Sequence, residues 1–180
     1  MIPDEFKQGV RGILLLHRNK DGASGNAQRK SFKRISTNVE QWNIHVEEMK
    51  YLQKNGYSNH RIYASVNARN MHKAVFEFKT RQLSADNFYV AKAEPARDWF
   101  YLDVQNNFFS CLMNPNARET SYFLIDCDTV KEYEENKAKI PSELILLDYP
   151  TKNGRHLITK PFNPKEIIVE IKKDDLLYIG

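Results

Sequence analysis

The chain has 180 residues, of which 41% are hydrophobic and 28% are charged, and its formal net charge at pH 7 is +4. A chain of this length and composition can bury a core of its own, so we expect a folded globular protein rather than a disordered one. The moderate positive charge permits a nucleic-acid or nucleotide partner without requiring one.

The cysteines and the absence of long apolar runs restrict the expected setting. Cys111 and Cys127 are too few for a disulfide framework or a four-cysteine zinc site, which favours a reducing environment. Residues 1–8 contain no apolar signal core, and no apolar run approaches the roughly 20 residues that span a bilayer. We therefore expect a cytoplasmic protein with no membrane partner.

The first half of the chain predicts an α/β lobe with a basic loop. Residues 12–16 are an apolar run typical of a buried strand, and a long loop follows them. Asn38 can cap a helix that ends near Gly56, and residues 61–66 predict another strand. The loop contains a cluster of candidate nucleic-acid-binding residues, namely Arg29, Lys30, Lys33 and Arg34. A solvated loop without a ligand would have the same composition.

The middle of the chain is less regular. Asn67 is the expected start of a helix that runs through Phe78, and a short second helix is expected near residues 86–93. Residues 95–121 are ambiguous, because the run 99–112 is rich in aromatic side chains and fits either a helix or a strand. The segment Asn114-Pro115-Asn116 should end whichever element forms there.

The last third alternates between strand and helix patterns. Strands are predicted at residues 122–127, 144–149, 155–160, 167–172 and 176–179, with a helix at 129–139 and a turn at 151–154. If residues 163–166 form a helical turn, the order approaches β-α-β-β-α-β, the split βαβ unit of ferredoxin-like and RNA-recognition folds. In that topology the first and third strands are adjacent.

These elements predict an α+β protein with two parts. We expect an N-terminal α/β lobe at residues 1–94 and an open sheet with an RNA-recognition-like core at residues 95–180, unless both form one compact domain.

The strongest chemical signal is a pair of aspartates on the predicted strand 122–127 and its end. Asp126 and Asp128 are two residues apart, so both side chains leave the same face of an extended chain while Ile125 and Cys127 face the core. Two such carboxylates can bind Mg²⁺ or Mn²⁺ through oxygen ligands. Solvated or capping aspartates would show the same spacing.

A third acid usually completes a two-metal site, and the chain offers several. The candidates are Asp148, Glu170, Asp174 and Asp175. Glu170 is the preferred third metal ligand because it lies within a predicted strand.

A hairpin after the second apolar run could bind phosphate. His156 could donate a hydrogen bond to a phosphate oxygen, and Lys152 and Arg155 could add positive charge beside it. Gly154 would let the backbone approach a ligand closely. The competing interpretation is an ordinary hairpin, for which Asn153-Gly154 is a common signal.

Taken in order, two segments resemble the catalytic core of the archaeo-eukaryotic primase, or primase-polymerase, superfamily. Residues 123–128 (Phe-Leu-Ile-Asp-Cys-Asp) are similar to the family's hDhD strand, and residues 151–158 are similar to its turn with a strand-borne histidine. The resemblance implies that Asp126 and Asp128 bind divalent metals and that His156 contacts the phosphates of an incoming nucleotide. It covers about the last third of the chain, and the N-terminal lobe is a looser analogue of the family's DNA-facing module.

The expected function is therefore a metal-dependent nucleotidyltransferase that uses nucleoside triphosphates and a single-stranded DNA or RNA template, with a replication protein as an expected partner. The alternative is a non-catalytic nucleic-acid-binding module on the same fold. A glycosyltransferase could also use paired aspartates, but the long Rossmann-like half is missing. A metal-dependent nuclease could use the same acids.

Overall fold

A computed structural model of the protein describes residues 2–17, 30–92, 103–151, 154–165, 167 and 171–180, with the backbone alone for residues 88–92. The described part contains two antiparallel four-stranded sheets and five α-helices, which confirms the predicted α+β class.

The strands are β1 Arg11–His17, β2 Phe32–Ser36, β3 His60–Ser65, β4 Phe123–Cys127, β5 Ile145–Pro150, β6 Arg155–Thr159, β7 Ile171–Lys172 and β8 Leu176–Tyr178. The helices are α1 Asp4–Lys7, α2 Val39–Lys54, α3 Met71–Lys92, α4 Val104–Met113 and α5 Val130–Lys137. The chain divides into two units, the first comprising Met1–Ala68 with Thr120–Gly180 and the second Arg69–Glu119. The predicted boundary between residues 94 and 95 lies outside the described residues and stays a prediction.

The first sheet has the strand order β2-β1-β3-β8 and packs one face on α2. Alternate residues of the central strands, such as Ile13 and Ile62, are fully buried in a core with Trp42 and Met49 of that helix. The Asn38 side chain accepts a hydrogen bond from the Gln41 N–H at 2.8 Å, so the predicted helix cap is confirmed.

Strand β2 lies where the sequence analysis expected only a loop. Lys33 pairs with Leu14 of β1, and β2 forms an edge of the sheet. The segment mixes apolar and basic side chains, and basic side chains are common on edge strands because they discourage pairing with other chains. A search for apolar runs therefore does not detect strand β2.

The second sheet has the strand order β5-β6-β4-β7, and α5 contributes to the core on one of its faces. Cys127 is a buried free thiol there, packed with Ile125, Leu157 and Tyr133, and burial raises its pKa. The predicted adjacency of the first and third strands is observed, since β4 pairs with β6. The second crossover includes residues outside the described part, so the complete split βαβ unit stays a prediction.

Asn67 does not start a helix. Helix α3 begins at Met71, and the Asn70 side chain accepts a hydrogen bond from the Lys73 N–H at 3.0 Å. The Asn67 side-chain oxygen instead accepts a hydrogen bond from the Tyr122 N–H at 2.6 Å, and the Asn67 Nδ2 atom donates one to the Lys173 carbonyl oxygen at 3.0 Å. This asparagine thus ties the end of β3 to the segments that flank the second sheet.

The second unit is helical. Helix α3 is continuous from Met71 to Lys92, where two shorter helices were expected. The ambiguous region contains α4, whose Phe108 ring lies 5.6 Å from the Phe78 ring, and this helix ends just before Asn114 as predicted. The continuous helix shows that neither Ser84 nor Asn87 interrupts α3, although both residue types have low helix propensity.

Candidate functional site

An open cavity of about 400 Å³ lies in the first unit and is lined by residues of both sheets. Its volume is within the usual range for small-molecule sites, roughly 300 to 1,000 Å³. The lining residues are Arg61, Tyr63, Leu124, Asp126, Asp128, Thr151, His156, Lys172, Asp175, Leu176 and Tyr178. All three residues predicted to be catalytic, Asp126, Asp128 and His156, are therefore brought together.

Asp126 and His156 are direct cross-strand partners on β4 and β6. The His156 Nε2 atom lies 3.0 Å from the Asp126 Oδ1 atom, which is hydrogen-bonding distance. Because a carboxylate can only accept, Nε2 must carry the proton. The His156 ring is buried, and its Nδ1 atom has no hydrogen-bond partner among the described residues. The histidine therefore orients the Asp126 carboxylate.

Asp128 is positioned by the start of α5. Its backbone N–H donates to the Glu132 Oε2 atom at 3.0 Å, and the same glutamate forms a capping box with Thr129. The capping box fixes the chain just after β4 ends at Cys127, and Asp128 is the first residue beyond the strand. Asp128 is consequently held beside the cavity on an exposed corner of the sheet.

A lysine lies between two of the cavity carboxylates. The Lys172 Nζ atom is 3.9 Å from the Asp126 Oδ2 atom and 3.2 Å from the Asp175 Oδ2 atom. Asp175 is held by its own backbone, because its carbonyl accepts from the Val66 N–H at 3.0 Å. Asp175 is thus a third acid in the cavity. The preferred candidate, Glu170, lies outside the described residues.

The donor set fits a divalent cation held by few protein ligands. Asp126 and Asp128 supply carboxylate oxygens, and Mg²⁺ is usually bound through one or two carboxylates with waters and substrate phosphates completing its shell. The described residues contain no group of three or more His, Cys, Asp or Glu side chains arranged to hold a metal ion. An all-protein cage for the metal is therefore not present in the described part of the chain.

The packing of the fold requires a glycine at position 154. A Cβ atom at this position would lie 1.9 Å from the Cys127 carbonyl oxygen, far inside van der Waals contact. The turn is closed by the Gly154 N–H, which donates to the Thr151 Oγ1 atom at 3.1 Å. The glycine thus lets the β5–β6 hairpin pack against the end of β4, and Lys152 of the same turn lies outside the described residues.

Arg155 is not brought together with His156. Successive side chains of a strand face opposite sides, and Arg155 lies on the face that carries α5. Its Nε atom donates to the Asp148 Oδ1 atom at 2.6 Å, and its guanidinium lies 5.0 Å from the centre of the Tyr133 ring. These two contacts hold the Arg155 side chain on the helix-covered side of the sheet, opposite the cavity side that His156 faces.

Asp148, another candidate third acid, is the centre of that network. Burial raises the pKa of its carboxyl, but hydrogen bonds from three side chains outweigh this effect and lower the pKa below its usual value. The three donors are Tyr133, Arg155 and Lys137. Asp148 is consequently a structural carboxylate, and it does not line the cavity.

The basic cluster is only partly available for a ligand. Arg34 pairs with Glu48 of α2 through two hydrogen bonds, and the bonds to Arg34 lower the pKa of that glutamate despite the opposing effect of burial. The Lys30 Nζ atom lies 5.3 Å from the centre of the Phe32 ring. Arg29 lies outside the described residues. The charge of Arg34 is therefore already balanced within the first unit.

Four cavity residues of the first sheet were not predicted from the sequence, namely Arg61, Tyr63, Leu176 and Tyr178. Arg61 and Tyr63 alternate with the buried residues Ile62 and Ala64 on β3, and Tyr178 faces Tyr63 from β8. The alternation itself was a usable signal, because polar or aromatic residues at every second position indicate a sheet face that is not covered by the core. The partner strand β8 had no such local signal.

No known protein family, no curated protein and no solved structure matches this chain. Within the described residues, no helix is both long enough and apolar enough to cross a membrane.

Proposed function

We propose that this protein is a metal-dependent nucleotidyltransferase of primase-polymerase type, which uses nucleoside triphosphates and a single-stranded nucleic-acid template. The observation that supports the proposal is the convergence of Asp126, Asp128 and His156 on one open cavity that also contains Lys172 and Arg61. Acids and cations side by side suit a ligand that brings both a divalent cation and a polyphosphate.

Different residues of the cavity would bind the metal ion and the polyphosphate. Asp126 and Asp128 would hold Mg²⁺ or Mn²⁺, which supplies charge neutralisation on phosphate oxygens when bound. His156 keeps the Asp126 carboxylate directed at the cavity through the 3.0 Å contact. Lys172 and Arg61 place positive charge at the same cavity, where the polyphosphate of the nucleotide would lie.

The proposal extends to the template and the cellular setting. Lys30 and Lys33 remain candidates for contacts with the phosphates of a single strand. Such contacts would strengthen binding, and their contribution would decrease as the salt concentration rises.

Two buried free thiols, Cys111 and Cys127, suit a reducing compartment, so we place the protein in the cytoplasm. A replication protein that delivers the template belongs to the same proposal.

One observation favours a second function, a nucleic-acid-binding module without catalysis. Lys172 already lies between the carboxylates of Asp126 and Asp175, and His156 already contacts Asp126. These contacts balance carboxylate charge without a metal ion. In a binding module the same contacts would persist, and metal would not change the affinity for single strands.

One experiment separates these functions. The purified protein is incubated with single-stranded DNA, Mn²⁺ and labelled nucleoside triphosphates, with the Asp126→Asn/Asp128→Asn variant in parallel. Metal-dependent synthesis by the wild-type chain alone supports the proposal. Shortening of the DNA indicates a nuclease, and metal-independent binding without synthesis indicates the binding module.

A second variant tests the histidine. His156→Ala removes the contact that orients Asp126, and we expect it to reduce synthesis by about 10- to 100-fold, the range for residues that orient a metal ligand. Synthesis at the wild-type rate in His156→Ala would contradict the assigned role.

A further inference from the structure

The cavity has an aromatic wall as well as a charged one. Tyr63 of β3 and Tyr178 of β8 are direct cross-strand partners, and their ring centroids are 6.0 Å apart at an interplanar angle of 64°. Both tyrosines line the cavity and are half-buried. We call these two residues the aromatic wall.

The aromatic wall is built into the sheet. Cross-strand partners project from the same face, and the neighbouring residues Ile62 and Ala64 of β3 are fully buried on the other face. The Arg61 guanidinium lies 5.7 Å from the centre of the Tyr178 ring, within cation–π range. The strands therefore present tyrosine rings to the cavity as a consequence of register.

The two walls differ in chemistry. We call Asp126, Asp128, His156 and Lys172 the charged wall. A metal ion with a polyphosphate would use the charged wall and Arg61, and it would not need the tyrosine rings. Half-buried tyrosines beside a polar site suit a ligand with a flat π-system, because aromatic rings gain energy by stacking on such a surface.

We infer that the aromatic wall binds the nucleobase of a nucleoside triphosphate whose phosphates lie at the charged wall. This inference rests on the proposed function and names the part of the substrate that the tyrosines bind. Stacking on an aromatic ring tolerates every base, because every base has a π-face. The wall therefore binds all four bases with similar affinity and leaves base selection to the template.

The test compares ligands with and without a base. Isothermal titration calorimetry in Mn²⁺ measures the affinity of the full chain for ATP, GTP, CTP and UTP, and for inorganic tripolyphosphate. Stacking of one base strengthens binding by about 5- to 150-fold, so each nucleotide should bind that much more tightly than tripolyphosphate. The four nucleotides should agree within about tenfold.

Substitutions of the two tyrosines test whether the aromatic wall causes the difference in affinity. Tyr63→Ala and Tyr178→Ala should each weaken nucleotide binding at least about fivefold and leave tripolyphosphate binding unchanged. Tyr63→Phe and Tyr178→Phe retain the rings and should bind nucleotides like the wild type. Tyr51→Ala is the matched control, since this exposed tyrosine lies on α2. Unchanged tripolyphosphate binding also shows that each variant is folded.

The outcomes distinguish this inference from the proposed function. If wild-type protein binds tripolyphosphate and nucleotides equally, or if the alanine variants weaken both ligands equally, the aromatic wall does not bind the base. A strong preference for one nucleotide would also overturn the inference. If neither ligand binds in the presence of metal, the proposed function fails and the inference fails with it.

Discussion

The two faces of the second sheet each place a carboxylate beside basic side chains, and the two carboxylates differ in access. On the helix-covered face, Asp148 accepts three side-chain hydrogen bonds, from Tyr133, Lys137 and Arg155. On the cavity face, Asp126 contacts His156 and Lys172, and its side chain is 35% exposed beside open space. One carboxylate is enclosed by its own partners, whereas the other can reach a ligand.

On this sheet, access to open space separates a functional carboxylate from a structural one. A partly buried carboxylate that receives several hydrogen bonds from side chains strengthens the fold, because each donor is ordered and satisfied. A carboxylate that lines a cavity can exchange a lysine contact for a cation or a substrate. Both carboxylates belong to aspartates with basic neighbours, so the surroundings decide the role.

The largest expected loss of activity is that of Asp126→Asn, which retains the shape of the side chain and removes its charge. We expect nucleotide incorporation to fall by about 100- to 1000-fold, the range for loss of one strong electrostatic contact. The free energy of unfolding should change by less than about 1 kcal/mol, because the asparagine oxygen can still accept a hydrogen bond from the His156 Nε2 atom and the partly exposed pair with Lys172 contributes little. Primer-extension rates and chemical denaturation measure the two effects, and Glu47→Gln on the surface of α2 is the control. Full activity in Asp126→Asn would show that the two faces do not differ in function.

Gly154→Ala should give the largest loss of stability. The new Cβ atom would lie 1.9 Å from the Cys127 carbonyl oxygen, so the hairpin or the end of β4 must move. Overpacking of this kind costs about 3 kcal/mol, at the upper end of the usual range. Chemical denaturation measures the loss, and Gly180→Ala is a matched control because its Cβ would lie 3.5 Å from the nearest atom. Wild-type stability in Gly154→Ala would contradict the close approach.

Asp148→Asn tests the enclosed carboxylate. The variant keeps the size of the side chain but weakens its bonds to Arg155 and Lys137, and we expect a loss of about 1 to 2 kcal/mol. Nucleotide incorporation below the unfolding transition should stay within about threefold of wild type, because Asp148 does not line the cavity. Denaturation curves and extension rates are measured together, again with Glu47→Gln as the control. A large loss of incorporation with unchanged stability would reverse the roles assigned to the two faces.

Local patterns predicted the part of the site that depends on one strand and one turn. The apolar run before Asp126, the two-residue spacing to Asp128 and the hairpin before His156 are all visible in a few consecutive residues. The same alternation rule also separates Arg155 from His156, because neighbours on a strand face opposite sides. The assignment of both residues to one phosphate site did not apply that rule.

The remaining part depends on pairing between distant segments. Strand β8 joins the first sheet beside β3, which brings Tyr178 to Tyr63 across more than half of the chain. Short strands such as β7 and β8 carry no periodicity that specifies a partner. Lys172 of β7 and Asp175, which precedes β8, line the same cavity as Asp126 only because the fold places these two strands there. The third acid of the cavity could therefore not be selected from spacing.

The smallest predicted effect is the pH dependence of the contribution that Asp148 makes to stability. Its pKa is lowered in the folded protein, so the unfolded chain binds a proton more readily than the folded chain as the pH falls. The stabilisation is therefore fully present above the unfolded pKa of about 3.9 and is lost as the pH drops through the lower folded value. The difference in unfolding free energy between wild type and Asp148→Asn should be constant from pH 7 to about pH 5 and should shrink below about pH 4. Urea denaturation at successive pH values measures it, and a difference that grows on acidification would show that the Asp148 network does not favour the charged carboxylate.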